Sequence, residues 1–262
     1  MKYLYNIKNK TVFITGANGY LGTNLINFFR DLNVNIIATD KEISKANKKI
    51  IDKINFRKKN SIQFIKCDLS NLLDRNYLLE IIKKKKIDIL INNATYVTSS
   101  KTYNSKFVNQ TTENWKDIFE VNLSAVFHLT KALVPNLKKS KSPSIINISS
   151  IYGVTGPDWD LYKKTLFGNP AAYAASKAGL IQLSKWLAST LGPKIRVNSI
   201  SIGGIFRNQP KLFVKLYSKK TILKRMAKEK DINGAILFLS SNASSYITGI
   251  NLVIDGGITA KI

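Results

Sequence analysis

The sequence predicts an α/β fold: one doubly wound parallel sheet of seven strands, flanked by helices, in a single domain over residues 1–262. Three observations predict it. Short apolar runs alternate with longer helical patterns along the whole chain. Most of the short runs are continuously apolar, as strands covered on both faces must be. The first run leads straight into a glycine-bearing turn and a helical pattern, the opening of a βαβ unit.

The strand candidates are 11–15 (TVFIT), 34–39 (VNIIAT), 62–66 (IQFIK), 87–92 (IDILIN), 144–149 (SIINIS), 194–201 (KIRVNSIS) and 250–254 (INLVI). Helical patterns fall near 20–31, 71–85, 111–137, 171–191 and 229–240. Lys83–Lys86 closes the second of these, where cations complement the helix dipole. Two long connections, 94–110 and 151–170, are rich in Tyr, Ser, Thr, Asn and Lys. Long loops at strand ends are where function concentrates.

Composition narrows the function classes. The one cysteine, Cys67, cannot form an internal disulfide, which fits a reducing compartment, and it reads as a small buried apolar residue. The N-terminal MKYLYNIKNK lacks the apolar stretch of a signal peptide, and nowhere do about 18 apolar residues run together. The expectation is a soluble cytoplasmic protein without a membrane partner. The net charge of +25 invites a nucleic-acid reading. However, only six of the 41 basic residues are Arg, the residue that dominates specific phosphate and base recognition, and the Lys are spread along the whole chain. Abundant Lys, Asn and Ile with sparse Pro and Gly are what an AT-rich coding drift produces. A nucleic-acid partner is therefore not expected, although the field would help capture anionic substrates. No His, Cys or carboxylate cluster suggests a metal site, and the lone His128 reads as a helix-face or interface residue.

The turn TGANGYLG (15–22) places Gly16, Gly19 and Gly22 between strand and helix. Glycine there permits a tight turn and close backbone approach to a pyrophosphate, and the helix N-terminus supplies N–H donors and a positive dipole end. Asn18, Tyr20 and Leu21 complete the candidate phosphate loop. Asp40, 18 residues after Gly22 in ATD, stands where an acid accepts hydrogen bonds from the adenosine ribose. That carboxylate repels a 2′-phosphate and favours NAD over NADP, while the adjacent Lys41 keeps NADP open. Asp68 and Leu69, in CDLS, are placed to meet the adenine.

Downstream, AYAASKAGL carries Tyr173 and Lys177, four apart and so on one helix face. With 11 Tyr in so lysine-rich a chain, this pair alone is no signal. Order and context carry the weight: Asn92, Asn93 and Ala94 in INNA, Asn122 in EVNLS, Ser150 in NISS, then Tyr173 and Lys177, IRVNSIS, and the closing TG with VIDGG.

In this ordered set the chain resembles the short-chain dehydrogenases/reductases, in their single-domain branch with a Rossmann-like fold. The resemblance runs from TVFITGANGYLG to YITGINLVIDGG. It implies a dinucleotide-binding half over about 1–150 and a catalytic and substrate half over about 151–262. It implies an NAD(P)-dependent oxidoreductase that interconverts a secondary alcohol and a ketone. Tyr173 would be the acid/base, Lys177 would favour its phenolate and hold the nicotinamide ribose, and Ser150 would bond the substrate oxygen. Asn122 would hold a water that relays protons from Lys177, and Asn92 would support the sheet end. Asn93, Ala94, Gly203 and Ile205 would line the cofactor site. A homodimer or homotetramer is implied through the helices at 111–137 and 171–191.

Three departures from the family pattern bear on substrate. The glycine spacing matches the extended branch, whose further C-terminal substrate domain has no room after DGGITAKI. The usual Pro-Gly after the sixth strand is Ile202-Gly203, and a later family Thr is matched by Arg207. Ser150 and Tyr173 are 23 residues apart, with an extra loop that holds Tyr152, Asp158, Trp159, Tyr162 and Lys163-Lys164. Aromatic rings there would stack on a sugar ring, and the charged groups would bind hydroxyls or a phosphate. Together with GGIFRNQP, this loop resembles a subgroup of flagellin-modification and surface-glycan oxidoreductases and implies a sugar or sugar-phosphate substrate. Two alternatives stay open: a 3-oxoacyl-(acyl-carrier-protein) reductase, and a non-catalytic nucleotide- or nucleic-acid-binding protein on the same fold.

Overall fold

In the computed structural model, Thr11–Thr15 forms the central strand β1, and its neighbours follow from the way apolar side chains alternate along it. The structure describes residues 3–45, 47–49, 61–97, 106–163, 165 and 168–260. Val12 and Ile14 point to one face and Phe13 to the other, and all three are fully buried. A strand buried on both faces cannot carry a polar side, so its sequence runs apolar without a break.

Six more strands join it, all parallel: β2 (Asn35–Asp40), β3 (Ile62–Lys66), β4 (Ile89–Asn92), β5 (Ser144–Ser150), β6 (Arg196–Ile202) and β7 (Asn251–Ile254). Their order in the sheet is β3-β2-β1-β4-β5-β6-β7. The predicted seven-stranded, doubly wound sheet is thus the observed one. The direction of winding reverses between β1 and β4, and a crevice opens there at the strand C-termini.

One face of the sheet is covered by α1 (Tyr20–Asp31), through Leu25, Ile26 and Phe29, and by Ile232, Ile236 and Leu239 of a C-terminal helix. The other face is covered by α2 (Leu72–Ile82), through Leu78 and Ile82, and by Leu129, Leu133 and Leu137 of a later helix. The predicted helix over 111–137 is divided into α3 (Thr112–Phe119), a π-helical turn Glu120–Ser124 and α4 (Ala125–Lys138). Apolar spacing alone cannot reveal such a turn, because one extra residue barely disturbs a buried stripe. α5 (Ala171–Leu191) falls as expected. α6 (Lys211–Lys220) was not expected. Its apolar pair Phe213 and Tyr217 has helical spacing but is diluted by lysines, and Pro210 before it is a start signal. α7 (Lys230–Ser240) closes the set.

Polar groups inside the sheet are bonded to one another. Asn92 Nδ2 on β4 donates to Asn147 Oδ1 on β5 at 2.7 Å, and Asn147 Nδ2 donates to Ser184 Oγ on α5 at 2.8 Å. All three residues are buried. The chain pins two central strands to the helix that carries Tyr173 and Lys177. Asn147→Ala leaves Asn92 and Ser184 without these partners, so it is expected to lower unfolding stability by about 2 kcal/mol in urea titration. An unchanged midpoint and slope would mean that the chain contributes nothing.

Candidate active site

The crevice between β1 and β4 is shaped by what the glycine loop leaves out. A Cβ on Gly16 would lie 2.6 Å from Ala94 Cα, and the backbone there has φ of +66°. A Cβ on Gly22 would lie 2.1 Å from Gly16 O. Both glycines are required by close packing of the loop. Gly19 is different: its Cβ would meet only Gly16 O, at 3.5 Å, so space outside the loop is open to a ligand. Gly19 caps α1 without a side-chain hydrogen bond, and the first turn holds no acid. This leaves an anion-seeking helix end facing the crevice. The far wall is locked in place by Asn93, whose Nδ2 donates to Thr15 O at 2.9 Å and Gly16 O at 3.0 Å. Thr15 Oγ1 accepts the backbone N–H groups of Asn93 and Ala94, both at 3.1 Å.

The crevice has two connected parts. The first, of about 430 Å³, is lined by Gly16, Asn18, Gly19, Tyr20, Leu21, Gly22, Asp40, Leu69 and Ala94, all predicted from sequence. Thr95, Tyr96 and Val121 also line it and were not foreseen. Asp40, at the end of β2, accepts the Asn18 N–H at 2.7 Å on Oδ2 and the Lys41 N–H at 2.7 Å on Oδ1. Lys41 Nζ lies 2.9 Å from Asp68 Oδ2, and Asp68 also accepts from Ser70. Although burial opposes it, the bonds from Ser70 and Lys41 hold the Asp68 carboxyl below its ordinary pKa. Asp68 is therefore turned to Lys41 and does not line the crevice, whereas Leu69 does. Cys67 is buried, and its thiol is pushed up to about 12 by burial and by Asp74 and Asp68, so it is inert.

The second part, of about 330 Å³, is lined by three of the four predicted catalytic residues, Ser150, Tyr173 and Lys177, with Gly203 and Ile205 beside them. Leu21, Asn93, Thr95 and Arg207 line both parts and join them. Ser150 ends β5, and its Oγ accepts the Tyr152 N–H at 3.2 Å. Lys177 is 2 % exposed, its Nζ donates to Ile148 O at 2.9 Å, and it lies 5.7 Å from the Tyr173 ring centroid. Burial lowers its ammonium pKa to about 8. The Asn122 side chain sits in the π turn and is fully committed. It donates to Tyr96 O and Ser176 Oγ, both at 3.0 Å, and accepts from Tyr96 N at 2.8 Å and Thr95 Oγ1 at 3.3 Å. This amide braces α5 against the 95–96 segment.

The outer wall corrects one expectation. Tyr152 and Tyr162 line the crevice and share a hydrogen bond between their hydroxyls. Trp159 does not line it; its ring, 55 % exposed, packs behind Tyr162 at 6.0 Å between centroids. The loop charges neutralise one another: Asp158 pairs with Lys220, and Asp160 with Lys163 at 2.6 Å. Lys164 lies outside the described residues. The wall is completed by Phe213, Tyr217 and Met226, which the unpredicted α6 and the strand-end loop bring in. Tyr217 Oη accepts the Gly204 N–H, and burial pushes its pKa up to about 12, so it stays a neutral phenol. Asn169 also lines this part; it is 7 % exposed, and among the described residues neither Oδ1 nor Nδ2 has a hydrogen-bond partner. His128 lies on α4 away from the crevice, its pKa lowered by burial and by Arg75 and Lys131. Among the described residues no group of three or more His, Cys, Asp or Glu gathers, and no helix is long and apolar enough to cross a membrane.

Comparison with known proteins agrees with this geometry. Residues 22–259 match a family model described as enoyl-(acyl carrier protein) reductase. The chain is 31 % identical over 264 residues to the 3-oxoacyl-(acyl-carrier-protein) reductase FabG of Thermotoga maritima, covering 96 % of this chain and 98 % of that one. It is 29 % identical over 264 residues to the post-translational flagellin modification protein A of Campylobacter coli, with 96 % and 98 % covered. A crystal structure of a short-chain dehydrogenase from Leptospira borgpetersenii with bound NAD+ superposes with a TM-score of 0.85 at 34 % identity, over 97 % of this chain and 94 % of that one. With the glycine loop, the Ser-Tyr-Lys cleft and the sheet order in place, the chain belongs to the short-chain dehydrogenase/reductase family and is an NAD(P)-dependent oxidoreductase acting on CH–OH groups.

Proposed function

We propose that the protein interconverts a secondary alcohol and a ketone on a polyhydroxylated, sugar-like substrate, with NAD as the preferred cofactor. The observation that carries the chemistry is the convergence of Ser150, Tyr173 and Lys177 on one cleft continuous with the glycine-loop crevice. The bound nicotinamide supplies hydride acceptance or donation. The residues do the rest. In the oxidative direction Tyr173, as phenolate, takes the hydroxyl proton while the hydrogen on the same carbon leaves as hydride. A free phenol titrates near 10, about three units too high for a base at neutral pH. The Lys177 cation beside it stabilises the phenolate. Ser150 Oγ donates to the substrate oxygen and fixes its position. A proton relay onward from Lys177 would use main-chain atoms of the π turn, since the Asn122 amide is occupied.

NAD preference rests on Asp40, which faces the crevice and would repel a 2′-phosphate; Lys41, which lines the crevice beside it, is paired with Asp68. The sugar-like reading rests on Asn169. An enclosed amide with a free donor and a free acceptor costs stability unless a ligand meets it, and a hydroxyl meets both. Tyr152 and Tyr162 add rings for the C–H face of such a substrate. The aromatic and apolar wall of Phe213, Tyr217 and Met226 favours a second reading, a 3-oxoacyl thioester reductase, which several relatives are. We also propose a homodimer or homotetramer through α4 and α5, which would cover the exposed Phe127 and Trp186.

Three outcomes are expected. Tyr173→Phe lowers kcat by about 10² to 10⁴ and still binds NADH in a fluorescence titration; near-normal turnover would overturn the mechanism. A screen of cyclic polyols with NAD against acetoacetyl thioester with NADPH gives turnover of a polyol; turnover of the thioester alone would install the second reading. The third concerns Lys177. Between pH 8 and 10.5 the unfolded chain holds a proton at Lys177 that the folded chain has released, so stability rises with pH across that window. Below pH 8 the cost of burying the cation is borne in full. Wild type should therefore gain stability on Lys177→Met from pH 8 to 10 in thermal unfolding, and a constant difference would refute the shifted pKa.

A further inference from the structure

Arg207 is the family departure that the proposed reaction leaves unused. It follows the Gly203-Gly204 pair, on the side of the crevice opposite the glycine loop, and lines both parts. Its guanidinium lies over the ring of Tyr20, 5.0 Å from the centroid. Tyr20 is the first residue of α1, directly after Gly19. Arg207 Nε donates to Glu229 Oε1 at 3.3 Å, and its backbone N–H donates to Gln209 Oε1 at 2.7 Å. One face of the guanidinium is thus covered and one edge held. Among the described residues, nothing accepts from its two terminal nitrogens.

The electrostatics of this position are unusual. A cation is held beside the positive end of a helix whose first turn carries no acid. The partly exposed pair with Glu229 offsets little of that repulsion. An anion set between the two would relieve it. A guanidinium with two parallel N–H groups free matches the spacing of phosphate oxygens.

We propose that Arg207 grips the diphosphate of the dinucleotide from the wall opposite the glycine loop, closing an anion clamp whose other jaw is the N-terminus of α1. Tyr20 aligns the guanidinium, and Glu229 fixes its Nε edge. The position over α1 assigns it to the cofactor diphosphate in preference to an anionic group on the substrate. This inference rests on the dinucleotide reading of the crevice.

The test is binding, with no turnover involved. Wild type, Arg207→Met and Arg207→Lys are titrated with NADH by fluorescence and with ADP by competition, each over a series of KCl concentrations. Methionine keeps an aliphatic stem on Tyr20 and removes the charge. Expected is a loss of about tenfold or more in affinity for both ligands in Arg207→Met, with a flatter dependence on salt. Arg207→Lys, with charge but no fork, should fall between and keep the wild-type salt slope. Unchanged affinity in Arg207→Met, or a loss with an unchanged salt slope, would overturn the clamp and leave Arg207 a packing residue. Wild type that binds neither NADH nor NADPH would reject the dinucleotide reading itself, a result distinct from either.

Discussion

The hydrogen bond from the buried Lys177 ammonium to the Ile148 carbonyl fixes the geometry of the catalytic cleft. It joins the C-terminal part of β5 to the first turns of α5, the two elements that carry Ser150 and Tyr173. No carboxylate neutralises this cation among the described residues, and burial alone accounts for its lowered pKa. A buried charge so poorly compensated is expensive in a purely structural role. It becomes useful once a phenolate develops beside it, because the low dielectric that penalises the lone cation strengthens its attraction for the anion. The polar braces around it share this logic. Asn122 fixes Ser176, Ser149 Oγ donates to Lys177 O at 2.9 Å, and the Asn92-Asn147-Ser184 chain fixes α5 from beneath. They hold the helix that presents the base against the strand that presents the serine.

At the other end of the cleft the constraint is steric. Gly16 lets the turn after β1 approach the end of β4, and Gly22 lets α1 close on that turn, each so tightly that no side chain fits between. Asn93 and Thr15 then clasp the two strand ends by backbone and side-chain bonds. The switch point is therefore rigid on the glycine-loop side. The loop after β6 is held from outside instead, by Tyr217 against Gly204 and by Gln209 Nε2 on Ile205 O at 2.8 Å. Both walls are thus held by the chain's own bonds, as electrostatic catalysis requires.

The substrate side depends on a different balance. The long loop after Ser150 carries acids and lysines, but they pair with one another and with α6, so its outer surface is charged while its inner surface is aromatic. Long-range packing produces this division. Leu161 is buried with Phe213, Tyr217 and Met226 in a small core of its own, which seats the loop on α6 and turns Tyr152 and Tyr162 inward. Among the described residues, the enclosed Asn169 amide is then a polar feature of this wall that packing does not explain.

The sequence by itself determined the sheet and the glycine turn. Each depends on local pattern: apolar runs for strands buried on both faces, and glycine where a Cβ cannot fit. For the Ser-Tyr-Lys set the sequence worked only through the ordered motifs that resemble the family, because two side chains four apart carry no signal in so lysine-rich a chain. It also gave the correct account of Cys67, whose setting follows from its strand end. What only the tertiary structure decided involves partners distant in the chain. The π turn at Asn122, the commitment of that amide to Tyr96 and Ser176, the turning of Asp68 to Lys41 and the placement of Trp159 behind Tyr162 all depend on which neighbours the fold supplies. The helix at Lys211–Lys220 was hidden for the same reason: its lysines dilute the apolar pattern, and its helical face is defined by the loop it packs against, about fifty residues earlier in the chain.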